Sequence, residues 1–222
     1  MLVKELARMV HQNAREHGWW DEHRPIMEIF ALICSEWSEA LEEAREGNPM
    51  AYVDADVRRE DQIESVFRKV ERGTDGRYVY GSTQFLGKKP EGVAIELMDG
   101  VIRIMDLMGF LGEDYRVVDD DGQDQTVENL YGKDRSLAEE DMPESVGELV
   151  MMLTMYTSMC LIVDGDMPDQ DGMSEVDGIR YLLGAASIAL SWVKDMGMDP
   201  MALLIEKHEY NKGRPYKHGK KF

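Results

Sequence analysis

The chain contains little cysteine, and the cysteines it has do not suit a disulfide framework. Only Cys34 and Cys160 occur among 222 residues, and both lie in apolar periodic segments. Small folds held together by disulfides are therefore excluded, and we expect a cytoplasmic protein. The opening segment MLVKELARMVHQNAREHG interleaves charged and apolar residues, so it lacks the apolar core of a signal peptide.

Basic residues and long apolar runs are also scarce. The chain has 25 Lys and Arg against 44 Asp and Glu, which gives a formal net charge of -19. This balance excludes an electrostatic grip of the whole protein on nucleic acid or on anionic lipid. The longest apolar run, residues 149–163, is shorter than the roughly 20 residues of a membrane-spanning helix and is interrupted by Thr and Ser. We therefore expect a soluble protein with no stable nucleic-acid binding and no membrane association.

Helical periodicity is abundant. Apolar residues recur every three to four positions over residues 2–10 and 26–44, and Gly47-Asn48-Pro49 ends the second of these segments. A third helix is predicted from the segment KPEG to about Leu111, and further helices over about 144–163, over about 175–196, and from an Asp199 N-cap to Tyr210 or Asn211. Five or six helices with little strand signal predict an all-α fold, a helical bundle.

Two segments of the chain lack this periodicity. Within residues 49–89 we predict a short helix over residues 61–71 and a short hairpin over residues 78–86. Residues 113–142 read as an acidic loop with little apolar content.

Acidic residues recur at helical spacing beside the apolar stripe of the second helix. Glu36, Glu39 and Glu43 fall within about 60° of one another, so they lie at the core boundary. Taken alone, an acidic pair at this spacing usually marks a solvent-exposed face, because charged residues are rarely buried.

The third helix favours a different interpretation. Apolar residues cover nearly its whole circumference, so we expect it to be buried on most sides. Its charged residues after Glu91 are Glu96, Asp99, Arg103 and Asp106, which lie within about 80° of one another. Arg103 is spaced to pair with Asp99 or Asp106, but one arginine cannot neutralise three acids. Two neighbouring helices would then present at least four carboxylates to one space.

Such a set of ligands determines which metal to expect. Carboxylate oxygens without nitrogen or sulfur ligands suit Mg²⁺ or Mn²⁺ better than zinc. The histidines His11, His17 and His23 are scattered and do not have the spacing of a zinc site.

The C-terminal residues supply the complementary charge. Six Lys or Arg and one acid, Glu209, lie between residues 207 and 221. A solvated basic tail is one interpretation, but the Asn, Tyr and Pro residues among them favour a defined structure. If the last helix continued, Lys207, Asn211 and Arg214 would share a face, although Gly213 and Pro215 oppose this. Cations beside a carboxylate-bound metal are suited to polyphosphate chemistry.

Three segments carry a family resemblance: LICSEWSEALEEAREG, KPEGVAIELMDGVIRIMD and EKHEYNKGRPYKHGKKF. They resemble the MazG-like group of the all-α nucleoside triphosphate pyrophosphatases. The signature of that group, Glu-x-x-Glu on one helix and Glu-x-x-Asp on the next, is matched by Glu36/Glu39 and Glu96/Asp99. The segment GWWDE at residues 18–22 also looks like members of the group, and the matching parts cover about half of the chain in the same order.

The resemblance implies one domain over residues 1–222 that departs from the group by its additions. The two acidic pairs are separated by an unusually long segment, so we expect an insertion at about 49–89. Residues 113–199 separate the second pair from the C-terminal motif, so we expect a further insertion at about 113–142. The helices over about 144–197 are extra elements. Members of the group usually assemble, so the resemblance also implies a homodimer or a higher homo-oligomer.

The activity that the resemblance implies is the hydrolysis of a (deoxy)nucleoside triphosphate to the monophosphate and pyrophosphate. A metal-activated water would attack the α-phosphorus, with Glu39 or Glu36 orienting it or accepting its proton. The expected catalytic residues, which are also the ligands of Mg²⁺ or Mn²⁺, are Glu36, Glu39, Glu96 and Asp99. The expected phosphate or substrate contacts are Lys207, Asn211, Arg214 and Lys217. Among the tryptophans, Trp20 is a candidate for stacking on the base, and Trp37 is expected in the core.

Two alternatives stay open. The net charge of -19 is compatible with a non-catalytic acidic helical protein that mimics nucleic acid or captures a basic partner. Alternatively, the same scaffold acts on another phosphorylated nucleotide, such as phosphoribosyl-ATP or an alarmone. A mimic needs its acids directed outward, whereas Glu96 and Asp99 lie on a helix that is predicted to be buried.

Overall fold

Helices make up most of the described structure. The computed structural model describes residues 1–53, 71–72, 78–79, 89–112, 117–118, 122–132, 137–138, 141–162 and 177–219. Within these ranges, the α-helices are α1 (Val3–Glu16), α2 (Ile26–Arg45), α3 (Val93–Leu111), α4 (Val127–Leu130), α5 (Val146–Ile162), α6 (Asp177–Asp195) and α7 (Pro200–Lys212). The predicted all-α class is thus confirmed. Four two-residue strands form two antiparallel pairs: β1 (Tyr52–Val53) with β4 (Pro90–Glu91), and β2 (Glu71–Arg72) with β3 (Tyr78–Val79).

The predicted helix bounds agree with the structure to within a few residues. Helix α2 ends at Arg45, just before Gly47 adopts a left-handed φ of 71°. The side chain of Asp199 caps α7, accepting hydrogen bonds from the backbone N–H groups of Met201 and Ala202. Helix α7 continues to Lys212, slightly further than predicted.

The irregular segments differ from the prediction at several described residues. The acidic loop of residues 113–142 contains α4, where Thr126 accepts a hydrogen bond from the N–H of Asn129, and where Val127 and Leu130 are buried. Most of the predicted helix over 61–71 and hairpin over 78–86 lies outside the described residues. Of those ranges, Glu71 belongs to β2 and Tyr78–Val79 form β3, so the hairpin partner of residues 78–79 precedes them in the chain.

Helix α3 is central. It packs against α1, α2, α6 and α7, while α5 packs on α2 and α6. Nearly all of its apolar side chains are buried, with Phe110 exposed near its C-terminal end. The burial predicted from its apolar circumference is confirmed, and so is the burial of Trp37 in the core.

The N-terminus of α3 is held in place by the backbone of residues 49–50, just before β1. Gly92 has a φ of 110°, and a Cβ there would lie 2.6 Å from the Pro49 carbonyl oxygen. The N–H of Ala94 donates to the Met50 carbonyl oxygen at 2.9 Å. Glycine is therefore required at this close approach, which fixes the first turn of α3 and with it Glu96.

We expect Gly100→Ala to lower the free energy of unfolding by about 1–3 kcal/mol, because the added methyl overpacks the core. A Cβ at Gly100 would lie 2.1 Å from Cζ3 of the fully buried Trp37. The matched control is Gly147→Ala near the start of α5, where the nearest atom is 4.0 Å away. Urea unfolding of both variants measures the effect, and equal midpoints would contradict the close packing of Trp37 on Gly100.

Within the described residues, no helix combines the length and the apolarity needed to cross a bilayer.

Candidate active site

Three acidic side chains meet where α2 packs on α3. Each of Glu36, Glu39 and Glu96 offers a carboxylate oxygen, and the three oxygens lie within 4.8 Å of one another. Glu36 and Glu96 are buried, whereas Glu39 is exposed. The cluster therefore has two buried carboxylates and one that faces solvent, an arrangement of oxygen donors that suits a hard divalent cation.

The fourth predicted ligand, Asp99, is bound by residues of α7. Lys207 Nζ lies 2.8 Å from Asp99 Oδ2 and 4.0 Å from Glu96 Oε1, and it donates a hydrogen bond to the Pro90 carbonyl oxygen at 3.1 Å. Asn211 Nδ2 donates to Asp99 Oδ1 at 3.4 Å. The side chain of Lys207 is 1% exposed, so this residue, predicted to contact phosphate, is a buried counterion of the carboxylates.

The spacing of Arg103 suits a pair within α3, but the structure pairs this arginine with a residue of α2. Its Nε donates to Glu36 Oε1 on α2 at 2.6 Å. The spacing allowed a pair with Asp99 or Asp106, but the packing of α2 on α3 supplies Glu36 as the acceptor, which the spacing along one helix does not reveal.

Burial makes the acids of the cluster hard to ionise. The pKa of Glu96 is raised to about 8, chiefly by desolvation and also by the charges of Asp99, Glu36 and Glu39, although Lys207 lowers it. Desolvation also raises the pKa of Glu36, although Arg103 opposes it. Glu36 and Glu96 are thus costly to ionise in their buried positions, and a divalent cation would stabilise their charged forms.

Burial and the neighbouring acids have opposing effects on the pKa of Lys207. Desolvation alone would lower it, but the charges of Asp99 and Glu96 outweigh the desolvation and raise it. Lys207 is therefore a permanent cation next to the acidic cluster.

We expect the metal-free protein to lose stability as the pH rises from about 4.5 to about 8, by on the order of 5 kcal/mol. The folded state keeps the Glu96 proton up to about pH 8, whereas the unfolded chain releases it near pH 4.5. Between these two values the folded state binds more protons, so each rise in pH favours unfolding. Because Mg²⁺ binds the deprotonated carboxylates, the stabilisation by Mg²⁺ should instead increase with pH.

Thermal melting with EDTA or Mg²⁺ at about pH 6 and about pH 9 measures both trends. The Glu96→Gln variant is the matched control, because it lacks the titrating carboxyl and should lose most of the pH dependence. A larger Mg²⁺ effect at the lower pH would contradict the assignment of this cluster.

Two of the predicted C-terminal residues border a small cavity next to Asp99. Asn211 and Arg214 line a space of about 80 Å³ together with Asp99 and Arg103. Arg214 lies beyond the end of α7, yet the turn at Gly213 keeps it close to Asn211. Lys217 is placed differently, with its Nζ 3.8 Å from Glu22 Oε1.

Trp20 forms part of a second and larger space. Its indole ring stacks on Phe110 with a centroid distance of 4.2 Å and an interplanar angle of 14°, and its N–H donates to Asp106 Oδ1 at 2.9 Å. Asp106 also borders the small cavity, so the two spaces are neighbours. This second space, a cleft beside Trp20, has a volume of about 660 Å³, and its lining includes Trp20, Arg8, His11, Gln12 and Arg15.

Sequence reasoning missed two histidines of this region. His11 Nδ1 lies 2.8 Å from Asp106 Oδ1, which joins residues 95 positions apart. His17 Nε2 lies 2.9 Å from the Arg214 carbonyl oxygen, 197 positions away. The partner of neither histidine can be predicted from spacing along the chain, because both partners come from other elements of the fold.

No family model, curated protein or solved structure matches this chain. What the site can do is therefore inferred from its own residues and their geometry.

Proposed function

We propose that the protein is a Mg²⁺-dependent nucleoside triphosphate pyrophosphohydrolase. It would convert a (deoxy)nucleoside triphosphate of the cytoplasm to the monophosphate and pyrophosphate. Mn²⁺ would support the same reaction in place of Mg²⁺. The observation that carries the proposal is the cluster of Glu36, Glu39 and Glu96 next to the Asp99–Lys207 ion pair.

The chemistry of the donor set fits a magnesium ion. The three clustered carboxylates supply oxygen ligands, and burial makes Glu36 and Glu96 costly to ionise. Mg²⁺ usually takes a few carboxylates and leaves its other positions to water and phosphate oxygens. When bound, Mg²⁺ would neutralise phosphate charge and lower the pKa of a coordinated water.

The residues around the cluster have separable roles in this reaction. Glu39, the exposed carboxylate, orients the attacking water or accepts its proton. Lys207 holds Asp99 in place through the 2.8 Å ion pair. Asn211 and Arg214, which line the cavity beside Asp99, contact the phosphates, and Lys217 lies behind them.

The cleft beside Trp20 is the proposed site of the base. It adjoins the small cavity through Asp106, it has an aromatic wall, and its volume of about 660 Å³ is in the range of ligand sites. Because Trp20 is already stacked on Phe110 and bonded to Asp106, its ring is fixed before a ligand binds. A fixed ring costs less conformational entropy on binding.

The alternative of a nucleic-acid mimic is disfavoured by the placement of the acids. Glu36 is 5% exposed and Glu96 is 4% exposed, so neither is displayed to a partner. Other phosphorylated nucleotides stay within the same chemistry, and the substrate panel below decides among them.

Product analysis tests the proposal. Purified protein is incubated with Mg²⁺ and a panel of nucleoside triphosphates, deoxynucleoside triphosphates, modified nucleotides, phosphoribosyl-ATP and an alarmone, and the products are separated by anion exchange. We expect a monophosphate and pyrophosphate from the preferred substrate. Formation of a diphosphate and orthophosphate would refute attack at the α-phosphorus, and a panel without any turnover would refute the proposal.

A homodimer or higher homo-oligomer is part of the proposal. Met151 and Met155 on α5 are 72% and 51% exposed, and these large apolar side chains suit a subunit contact. Light scattering during size-exclusion chromatography measures the oligomer, and a monomer at all concentrations would contradict it.

A further inference from the structure

Both ring nitrogens of His17 face carbonyl oxygens. Nδ1 lies 2.8 Å from the Asn13 carbonyl oxygen, and Nε2 lies 2.9 Å from the Arg214 carbonyl oxygen. A carbonyl oxygen can only accept a hydrogen bond, so each ring nitrogen must donate one. A neutral imidazole has a single N–H, whereas the imidazolium has two. Both hydrogen bonds can therefore form only when the imidazole ring of His17 is doubly protonated and positively charged.

The charged side chains around His17 do not by themselves decide its protonation, because three arginines and two already paired aspartates line the cavity with it. His17 is the C-cap of α1, where carbonyl groups without helical partners carry partial negative charge. The charged side chains that line the cavity with it are Asp99, Arg103 and Asp106 from α3, Arg24 before α2, and Arg214 after α7. Asp99, Arg103 and Asp106 are each paired, with Lys207, Glu36 and His11 respectively. The two hydrogen bonds to carbonyl groups are therefore the interactions that require both ring nitrogens to carry a proton.

The residues at the end of α1 also bind the C-terminal segment, residues 213–219. The N–H of Lys217 donates to the His17 carbonyl oxygen at 2.9 Å. The hydroxyl of Tyr216 donates to the carboxylate of Asp21, and the Tyr216 ring lies so close to Gly18 that a Cβ there would be 2.3 Å from it. His17 contributes the bond nearest to Arg214 in this set of contacts, so it sets the position of the Arg214 backbone.

We propose that His17 is a positioning residue for the proposed hydrolysis: its doubly protonated ring fastens the C-terminal segment to the end of α1 and thereby holds Arg214 over the cavity beside Asp99. The catalytic consequence rests on the proposed function, whereas the protonated bridge itself does not. Loss of one ring proton places a nitrogen lone pair against a carbonyl oxygen and loosens the backbone at Arg214, although the hydrogen bonds of Tyr216 and Lys217 remain. Substrate binding through Arg214 then weakens.

The first experiment examines the bridge without any activity. Nitrogen-15 NMR of the histidine rings, assigned with His17→Gln, reports which ring nitrogens carry protons at about pH 6, where an ordinary histidine is charged. We expect both His17 nitrogens to be protonated, and we expect the Lys217 amide signal to move when the ring loses a proton. A single neutral tautomer at that pH, or a Lys217 amide that ignores the titration, would overturn the proposal. This readout holds even if the protein hydrolyses no nucleotide.

The second experiment is a double-mutant cycle on KM. His17→Gln should raise the KM for the nucleoside triphosphate about tenfold at low pH, the effect of one hydrogen bond from a charged donor, with a smaller change in kcat. In the Arg214→Gln background the same substitution should add almost nothing, because His17 acts through Arg214. The control is the exposed His23→Gln, which should leave KM unchanged.

Independent effects of His17→Gln and Arg214→Gln on KM, or a His17→Gln variant that lowers kcat and leaves KM unaltered, would overturn the positioning role.

Discussion

Replacing Glu39 by Gln is expected to reduce Mg²⁺-dependent hydrolysis about a thousandfold, which corresponds to about 4 kcal/mol of activation free energy. The substitution keeps the size of the side chain but removes the charged oxygen that completes the cluster with Glu36 and Glu96. Because Glu39 is exposed, the fold of the variant should be as stable as that of the parent protein. Steady-state rates of monophosphate formation, together with urea unfolding, measure the two effects separately.

The control for this substitution lies on the same helix. Glu42 is exposed and forms an ion pair with Arg45 at 2.7 Å, so Glu42→Gln removes a carboxylate from α2 without touching the cluster. We expect it to keep full activity. Equal activity of Glu39→Gln and Glu42→Gln would remove Glu39 from the reaction, and equal loss in both would point to a general effect of charge on α2.

Lys207→Met is expected to destabilise the metal-free protein by about 3–5 kcal/mol, the usual cost of breaking a buried ion pair by removing one partner. The Lys207 side chain is 1% exposed and its Nζ lies 2.8 Å from Asp99 and 4.0 Å from Glu96, so its removal leaves the Asp99 carboxylate without its cation. The backbone carbonyl of Pro90 also loses its donor. Urea unfolding in EDTA measures the free-energy change.

Two further variants define the cause of that loss. Lys212→Met removes an exposed lysine of the same helix, paired with Glu209, and should change the stability by less than about 1 kcal/mol. Adding Asp99→Asn to Lys207→Met should restore part of the stability, because the uncompensated charge of Asp99 disappears. A Lys207→Met variant as stable as Lys212→Met would show that the carboxylates do not depend on this lysine.

The sequence was most informative where a local pattern decides the structure. The apolar circumference of residues 93–111 predicted a buried helix, and the Gly47 stop and the Asp199 cap predicted two helix ends. Helix formation and capping are decided within a few residues, so a single sequence reveals them. Short β1 and β4 escaped prediction because each has two residues and gains its stability only from the other.

The candidate site shows the same division between local and tertiary information. The spacing of Glu36 with Glu39 and of Glu96 with Asp99 placed each pair on one side of its own helix. That spacing does not state which pairs face each other, and the structure joins three of these acids while Lys207 and Asn211 take Asp99. The spacing of Arg103 allowed a pair within its own helix, and in the structure it binds Glu36 across the helix interface.

By itself, the sequence determined the helical class, most helix boundaries and the presence of acids on a buried helix. Periodicity, capping and the cost of burying a charge are properties of residues that are near neighbours in the chain. Only the tertiary structure decided that Lys207 is a buried counterion, that Arg103 neutralises Glu36, and that His17 bridges α1 to the C-terminal segment. These contacts join residues far apart in the chain, and their energies depend on a burial that exists only after the helices have packed.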